Sequence, residues 1–210
     1  AQNNTGFFPL FPYVWRLLHV NNTGISVINF FVYISGMLVF VQQFKPTRLQ
    51  LLLLLVLPGG VYMVLPYSEA FFFLAGMITL SGLASNRPGI SWIGIFLMSL
   101  IRVSGIFILP GLFLFYFTQW ILGKTTIVKA IRFIFSYTSA ALLGTGLVVI
   151  WQWYETGTWF AYFISQTQHW GHEIHWPLSK YTTWNGIRLL WIDGAGMMVS
   201  ALALSIVGLS

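Results

Sequence analysis

The chain contains no cysteine and few charged residues. Without cysteine, disulfide bonds, thiolate catalysis and Cys-ligated metal sites are excluded. Charged residues make up 7% of the sequence, whereas soluble domains carry roughly 25%. Hydrophobic residues make up 57%, and the mean hydropathy is +0.79. So few charged side chains cannot give a soluble chain a polar shell, and the composition predicts an integral membrane protein.

The net charge of +6 does not indicate a nucleic-acid partner, because the lysines and arginines form no continuous patch. They instead mark short connections between apolar runs, namely Lys45 with Arg48, Arg87, and Lys124 with Lys129 and Arg132. The positive-inside rule assigns these connections to the cytoplasm. All of the acidic residues then fall elsewhere.

Long apolar runs predict an all-α, polytopic bundle of transmembrane helices, since an open sheet cannot span lipid and the runs lack the alternation of barrel strands. The bundle should have about seven membrane segments, some short or broken, within a single transmembrane domain that covers residues 1–210. The start lacks both methionine and a signal pattern, and the end stops inside an apolar run, so we expect a fragment. The runs are at 25–43, 49–66, 70–84, 91–122, 133–151 and 191–208.

The run at 91–122 has basic connections at both ends and must therefore cross the membrane an even number of times. This parity predicts two short helices that meet near Arg102, with their tip at membrane depth and beside a cavity. Similarly, Pro58-Gly59-Gly60 predicts a kink in the second run.

Glu69 and Arg102 are ionisable groups within or beside apolar runs. Such a group costs about 2.5–3.5 kcal/mol at a helix centre on insertion scales, so something must offset it. One interpretation is a polar site in which Arg102 binds an anionic headgroup and Glu69 is its partner. The other is a structural ion pair, or snorkelling to the interface.

The segment from Trp153 to Trp184 is predicted to be exoplasmic. It contains His169, His172 and His175 around Glu173, a spacing that differs from the zinc-protease pattern His-Glu-x-x-His. Sugar or phosphate contact, anchoring in the interfacial aromatic belt and a metal site all remain open, and we expect no metal. Near the N-terminus, the two prolines of Phe7-Phe8-Pro9-Leu10-Phe11-Pro12 predict a membrane-surface loop instead of a regular helix.

Four pieces of the chain resemble, in order, motifs of the PIG-V-like mannosyltransferases, which belong to the GT-C class of membrane glycosyltransferases. The Tyr-Ser-Glu element followed by Arg-x-x-Gly is the most specific part. The pieces span residues 7 to about 177: Phe8-Pro9-Leu10-Phe11-Pro12, Pro66-Tyr67-Ser68-Glu69-Ala70-Phe71-Phe72, Arg102-Val103-Ser104-Gly105, and the Gln/Trp stretch that ends at Trp176-Pro177.

The resemblance implies a GT-C-like fold and an inverting transferase, related to GPI mannosyltransferases. Such an enzyme moves a sugar, typically mannose, from a polyprenyl- or dolichyl-phosphate donor to a glycan or glycolipid acceptor on the exoplasmic face. It also implies a catalytic aspartate in a first exoplasmic loop upstream of residue 1, so the catalytic residue is unknown here and this fragment alone should be inactive. No cofactor is implied.

Glycosyl transfer needs positive charge at the departing phosphate and groups that bind the sugar. Arg102 suits the phosphate, while aromatic faces can stack on a pyranose and carboxylates or amides can bind its hydroxyls. The expected substrate-binding residues are Tyr67, Ser68, Glu69, Arg102, Gln166, Trp170, Glu173 and Trp176.

Two other functions fit the same pattern. A secondary transporter or flippase also uses broken helices and an intramembrane arginine, and a purely structural membrane subunit needs no ligand. In each case the partners include membrane lipids, and the expected location is a bacterial inner membrane or an endoplasmic reticulum membrane.

Overall fold

The computed structural model describes residues 8–56, 58–159 and 161–170. All regular structure within these ranges is helical, as predicted. The elements are α1 (Leu10–Leu18), α2 (Asn22–Phe44), α3 (Arg48–Val56), a 3₁₀ segment (Pro58–Met63), α4 (Glu69–Ala84), α5 (Pro88–Ile101), a second 3₁₀ segment (Val103–Phe107), α6 (Ile108–Ile121), α7 (Ile127–Thr156) and α8 (Ala161–Trp170).

Within the described ranges, 3 helical stretches are long and apolar enough to cross a membrane: Asn22–Phe44, Val103–Ile121 and Ile127–Thr156. Helices α4 and α5 are shorter but also apolar. At about 1.5 Å per residue, the 14 residues of α5 extend for about 21 Å, less than the hydrocarbon thickness of about 30 Å. The lengths are therefore compatible with membrane insertion, and some of the apolar helices are short, as the sequence predicts.

Local signals explain several helix ends. The side chain of Asn21 caps α2 by accepting a hydrogen bond from Gly24 N at 2.8 Å. Thr126 caps α7 in the same way, with Lys129 N at 3.4 Å. Helix α7 then ends at Gly157, whose φ of 71° lies in the left-handed region that glycine adopts without strain. The boundaries of these long helices thus follow from ordinary capping chemistry.

Helices α2 and α4 lie side by side and run in the same direction. Asn29, early in α2, bonds to the carbonyl of Tyr67 just before α4, and Gln43, near the end of α2, bonds to Ser81 near the end of α4. The chain returns between them through α3 and the first 3₁₀ segment. The α-helix stops at Val56 and a 3₁₀ segment begins at Pro58, so Pro58-Gly59-Gly60 does interrupt the second apolar run.

The core of the bundle is formed by α4, α5 and α7, where small residues bring the backbones together. Helix α5 runs antiparallel to α4, and Ser91 Oγ donates to Thr79 O at 3.2 Å. A Cβ atom at Gly94 would lie 2.7 Å from the backbone nitrogen of Thr79, so only glycine permits this approach. The buried residues Ile95, Tyr137 and Ala140 pack in the same layer. Close packing of this kind is how apolar helices associate in lipid, where hydrophobic burial gives little driving force.

The predicted break in the run at 91–122 is present. Helix α5 ends at Ile101, Arg102 is extended, and a 3₁₀ segment leads into α6, which returns along the bundle. The bundle therefore has two distinct ends. The basic end carries Lys45, Arg48, Arg87, Lys124 and Lys129, and the opposite end, called here the Arg102 end, carries the start of α4, the break at Arg102 and the end of α7.

The prediction of a loop at Phe7–Pro12 is wrong for its second half, because α1 begins at Leu10. Pro9 occupies the N-cap of α1, and Pro12 falls in the first helical turn. Backbone N–H groups in a first turn have no intrahelical acceptor, so proline loses no hydrogen bond there. The two prolines therefore start a helix instead of preventing one.

Candidate functional site

Arg102 lies at the junction between α5 and the second 3₁₀ segment. Its backbone is extended, with φ −150° and ψ 148°. Its N–H donates to Met98 O at 3.0 Å, and its carbonyl accepts from Gly105 N at 3.0 Å. The backbone polar groups at the break are thus satisfied by the chain, which makes irregular backbone tolerable in an apolar setting.

Gly105 holds this junction against α5. A Cβ atom at Gly105 would lie 2.5 Å from the carbonyl carbon of Met98 and 2.7 Å from the nitrogen of Ser99. Backbone atoms cannot move aside as a flexible side chain can, so a larger residue would displace the 3₁₀ segment. Gly105 of the Arg-x-x-Gly element therefore allows the 3₁₀ segment to lie against α5, which fixes the position of the Arg102 backbone.

The guanidinium of Arg102 forms an ion pair with Glu69, its Nη1 donating to Oε1. Glu69 is the first residue of α4, where the positive end of the helix dipole favours a carboxylate. The two side chains are 41% and 27% exposed. Within the described part of the chain, the second carboxylate oxygen of Glu69 is buried and has no hydrogen-bond partner. The guanidinium has further N–H groups, so the pair can take an additional oxygen ligand.

Tyr67 and Ser68 lead directly into this pair. The carbonyl of Tyr67 accepts a hydrogen bond from Asn29 Nδ2 at 2.9 Å, and the same amide group donates to Leu65 O. Asn29 is fully buried. One asparagine on α2 therefore fixes the turn before α4 and, with it, the position of Glu69. The ring of Tyr67 is exposed, whereas Ser68 is half-buried.

Aromatic residues near the N-terminus pack onto the same end. Phe11 contacts Phe71 of α4 edge-on, with ring centroids 5.6 Å apart. Phe8 contacts Tyr162 of α8 edge-on at 5.3 Å. The structure thus brings together the first three pieces that carry the resemblance: Phe8–Pro12, the Tyr67-Ser68-Glu69 element and Arg102.

Gln152 and Tyr162 also lie at this end, and sequence reasoning missed both of them. Gln152 Oε1 accepts a hydrogen bond from the backbone N–H of Tyr162 at 3.3 Å. Burial raises the pKa of the Tyr162 phenol, and the positive charge of Arg102 lowers it in part. The available signal was a single glutamine between Trp151 and Trp153, directly after an apolar stretch of α7.

No family model, curated protein or solved structure matches this chain. The family resemblance therefore rests on the sequence motifs alone and stays a prediction.

The other four predicted site residues have side chains that the structure does not describe. Gln166 and Trp170 lie on α8, but their side chains fall outside what the structure describes. Glu173 and Trp176 lie outside the described residues, as do His172 and His175. Among the described residues no group of three His, Asp or Glu side chains could hold a metal ion.

Proposed function

We propose that this chain is the membrane-embedded part of a glycosyltransferase of the PIG-V-like, GT-C type. It transfers a sugar, typically mannose, from a polyprenyl-phosphate donor to a glycan or glycolipid acceptor at the Arg102 end. The observation that carries the proposal is the ion pair between Glu69 and Arg102, which joins the two most specific elements of the resemblance across 33 positions of sequence.

The chemistry assigns Arg102 to the donor phosphate. In an inverting transfer the acceptor oxygen attacks the anomeric carbon while the bond from that carbon to the phosphate oxygen breaks. Negative charge then grows on the phosphate, and a preorganised guanidinium stabilises it without reorganisation. Arginine suits the role because its planar fork can hold two phosphate oxygens and stays charged.

Glu69 positions this arginine instead of acting as the base. Its Oε1 accepts the hydrogen bond from the Arg102 guanidinium. A proton taken up there would remove the negative charge of Glu69 and weaken the ion pair while the leaving phosphate gains charge. The acceptor proton passes to a general base, which the resemblance places in the loop before residue 1.

The surroundings of the pair suit a lipid-linked donor. Leu65, Tyr67 and Phe107 flank Glu69 and Arg102 along the chain and expose 38%, 47% and 73% of their surfaces. A charged group bordered by exposed apolar side chains matches a phosphate attached to a polyprenyl tail. Soluble nucleotide sugars lack such a tail.

The wider architecture follows from the same proposal. The GT-C arrangement would have about seven membrane segments: α2, α3 with its 3₁₀ segment, α4, α5, Val103–Ile121, α7 and the apolar run at 191–208. The Arg102 end would face the exoplasm, because the basic end satisfies the positive-inside rule on the cytoplasmic side.

A flippase or secondary transporter is the second candidate, and the helix break at Arg102 is the observation that favours it. The two functions differ in what happens to the sugar–phosphate bond. Full-length protein in liposomes, supplied with polyprenyl-phosphate mannose and an acceptor glycan, should release polyprenyl phosphate and extend the acceptor. Movement of intact donor across the bilayer without cleavage would establish the transporter and overturn the transferase.

A further inference from the structure

Gln152 carries a buried amide that is only partly satisfied. The residue lies near the end of α7 and is 2% exposed. Its Oε1 accepts the hydrogen bond from Tyr162 N at 3.3 Å, whereas its Nε2 has no partner among the described residues. The orientation of the amide is fixed, because a backbone N–H can donate to the amide oxygen but not to the NH₂ group. The unpaired donor is therefore the Nε2 group.

An unpaired amide donor in an apolar helix costs free energy, which a methionine of similar length would avoid. The neighbouring core position one turn earlier on α7, Val148, is apolar and 1% exposed. Packing alone thus favours an apolar residue at 152. The buried and unpaired Nε2 is therefore a candidate donor to an oxygen atom of a bound ligand.

The position of Gln152 connects this donor to the pair of Glu69 and Arg102. Helix α7 contacts the 3₁₀ segment that follows Arg102, and the backbone N–H of Tyr162 donates to the Gln152 oxygen. The ring of Phe8 lies edge-on against the same tyrosine, 5.3 Å between centroids. Gln152 therefore lies at the Arg102 end of the bundle, beside the first turn of α8.

We propose that Gln152 is a binding residue for the lipid-linked phosphosugar, with its Nε2 donating to an oxygen of the donor head that Arg102 holds. This proposal rests on the function proposed above and adds α7 to the site. The ligand oxygen belongs either to the phosphate or to a sugar hydroxyl, which share the chemistry of an acceptor. Because Nε2 is buried, the side chains or backbone that cover it must shift when the donor binds. The bond from Tyr162 N is longer than the usual 2.9–3.0 Å and opposes such a shift only weakly.

Two variants separate the donor from the acceptor half of the amide. Gln152→Glu keeps an oxygen for the Tyr162 N–H but removes the NH₂ group, and Gln152→Met removes both halves at similar length. The matched control is Gln119→Met on α6, at the basic end of the bundle. Each is made in the full-length protein, and the folded fraction is confirmed by size-exclusion chromatography and thermal unfolding.

The measurement is equilibrium binding of polyprenyl-phosphate mannose and of polyprenyl phosphate in detergent. Both Gln152 variants should weaken binding of the mannosylated lipid at least about fivefold, the size of one lost hydrogen bond, while Gln119→Met binds as wild type. An equal loss for both lipids assigns the phosphate, and a loss confined to the mannosylated lipid assigns a sugar hydroxyl. Wild-type affinity in a folded Gln152→Glu or Gln152→Met protein overturns the inference alone. A wild-type protein that binds neither lipid overturns the proposed function as well.

Discussion

The guanidinium of Arg102 donates to the carboxylate of Glu69, and both residues lie where helices of the bundle begin or end. Glu69 opens α4, and Arg102 follows the last residue of α5. Since α4 and α5 are antiparallel neighbours, their pairing closes one end of the tightest helix contact in the bundle. The carboxylate at the start of α4 and the guanidinium at the end of α5 thus pair without either side chain crossing the apolar core.

The first prediction concerns the orientation of the two ends. The chain contains no cysteine. A single introduced cysteine is therefore the one thiol within these residues that a reagent can label, and the protein without it gives the background. Ser85→Cys, beside Arg87 at the basic end, should be shielded from an impermeant thiol reagent in intact cells. Thr158→Cys, between α7 and α8, should be labelled. Both should react after permeabilisation, and the reverse pattern in intact cells would refute the exoplasmic placement of Arg102.

The second prediction concerns the junction that holds Arg102. Gly105→Ala should destabilise the protein by about 1–3 kcal/mol, the usual cost of overpacking, because its Cβ would meet the backbone of Met98 at 2.5 Å. Gly111→Ala on α6 is the control, since no atom lies within 4 Å of a Cβ there. That change should be neutral or stabilise the helix by up to about 1 kcal/mol. Thermal unfolding in detergent measures both, and equal stability of the two variants would contradict the close approach.

The third prediction concerns the turn before α4. Asn29→Ala removes the amide that binds the carbonyls of Leu65 and Tyr67, and should cost about 1–3 kcal/mol because buried carbonyls lose their donor. Glu69 should then be misplaced, and sugar transfer should fall more than stability alone explains. Gln42→Ala, an exposed amide on the same helix, should change neither quantity. Full transfer by folded Asn29→Ala protein would show that the turn does not depend on this residue.

The sequence predicts the break at Arg102 because charge parity and hydrophobicity are properties of the chain itself. Basic connections on both sides of one apolar run require two crossings, and Arg102 is the charged residue near its middle. The all-helical class follows from the same apolar runs, and the pairing of Glu69 with Arg102 that the sequence analysis considered is present. The loop predicted at Pro9 and Pro12 is wrong because proline breaks helices only beyond the first turn, and the sequence does not show where that turn begins.

The position of Gln152 at the Arg102 end could not be predicted, since it depends on which helices become neighbours. In the sequence Gln152 is one polar residue after the apolar run at 133–151, and only the fold brings it together with Tyr162 and Phe8. The parallel packing of α2 and α4 could not be predicted from the sequence either. Asn29 and Tyr67 are 38 positions apart. No local sequence pattern predicts that α3 and the first 3₁₀ segment bring the chain back so that the two residues meet.

The most direct test of the account is the use of donor by Arg102 variants. Arg102→Ala and Arg102→Lys should weaken binding of polyprenyl-phosphate mannose by about 1.5–3 kcal/mol, the value of a hydrogen bond to a charged group, since lysine lacks the planar fork. Glu69→Gln, which breaks the same ion pair from the other side, controls for loss of the pair itself.

The measurement is donor affinity and sugar transfer by full-length protein in liposomes, with thermal unfolding of each variant. We predict that both Arg102 variants fold and that both bind donor more weakly than Glu69→Gln does. Wild-type donor affinity and transfer by a stably folded Arg102→Ala protein would contradict the account. So would a result in which Arg102→Ala and Glu69→Gln are equally destabilised and Arg102→Ala has no additional loss of donor binding.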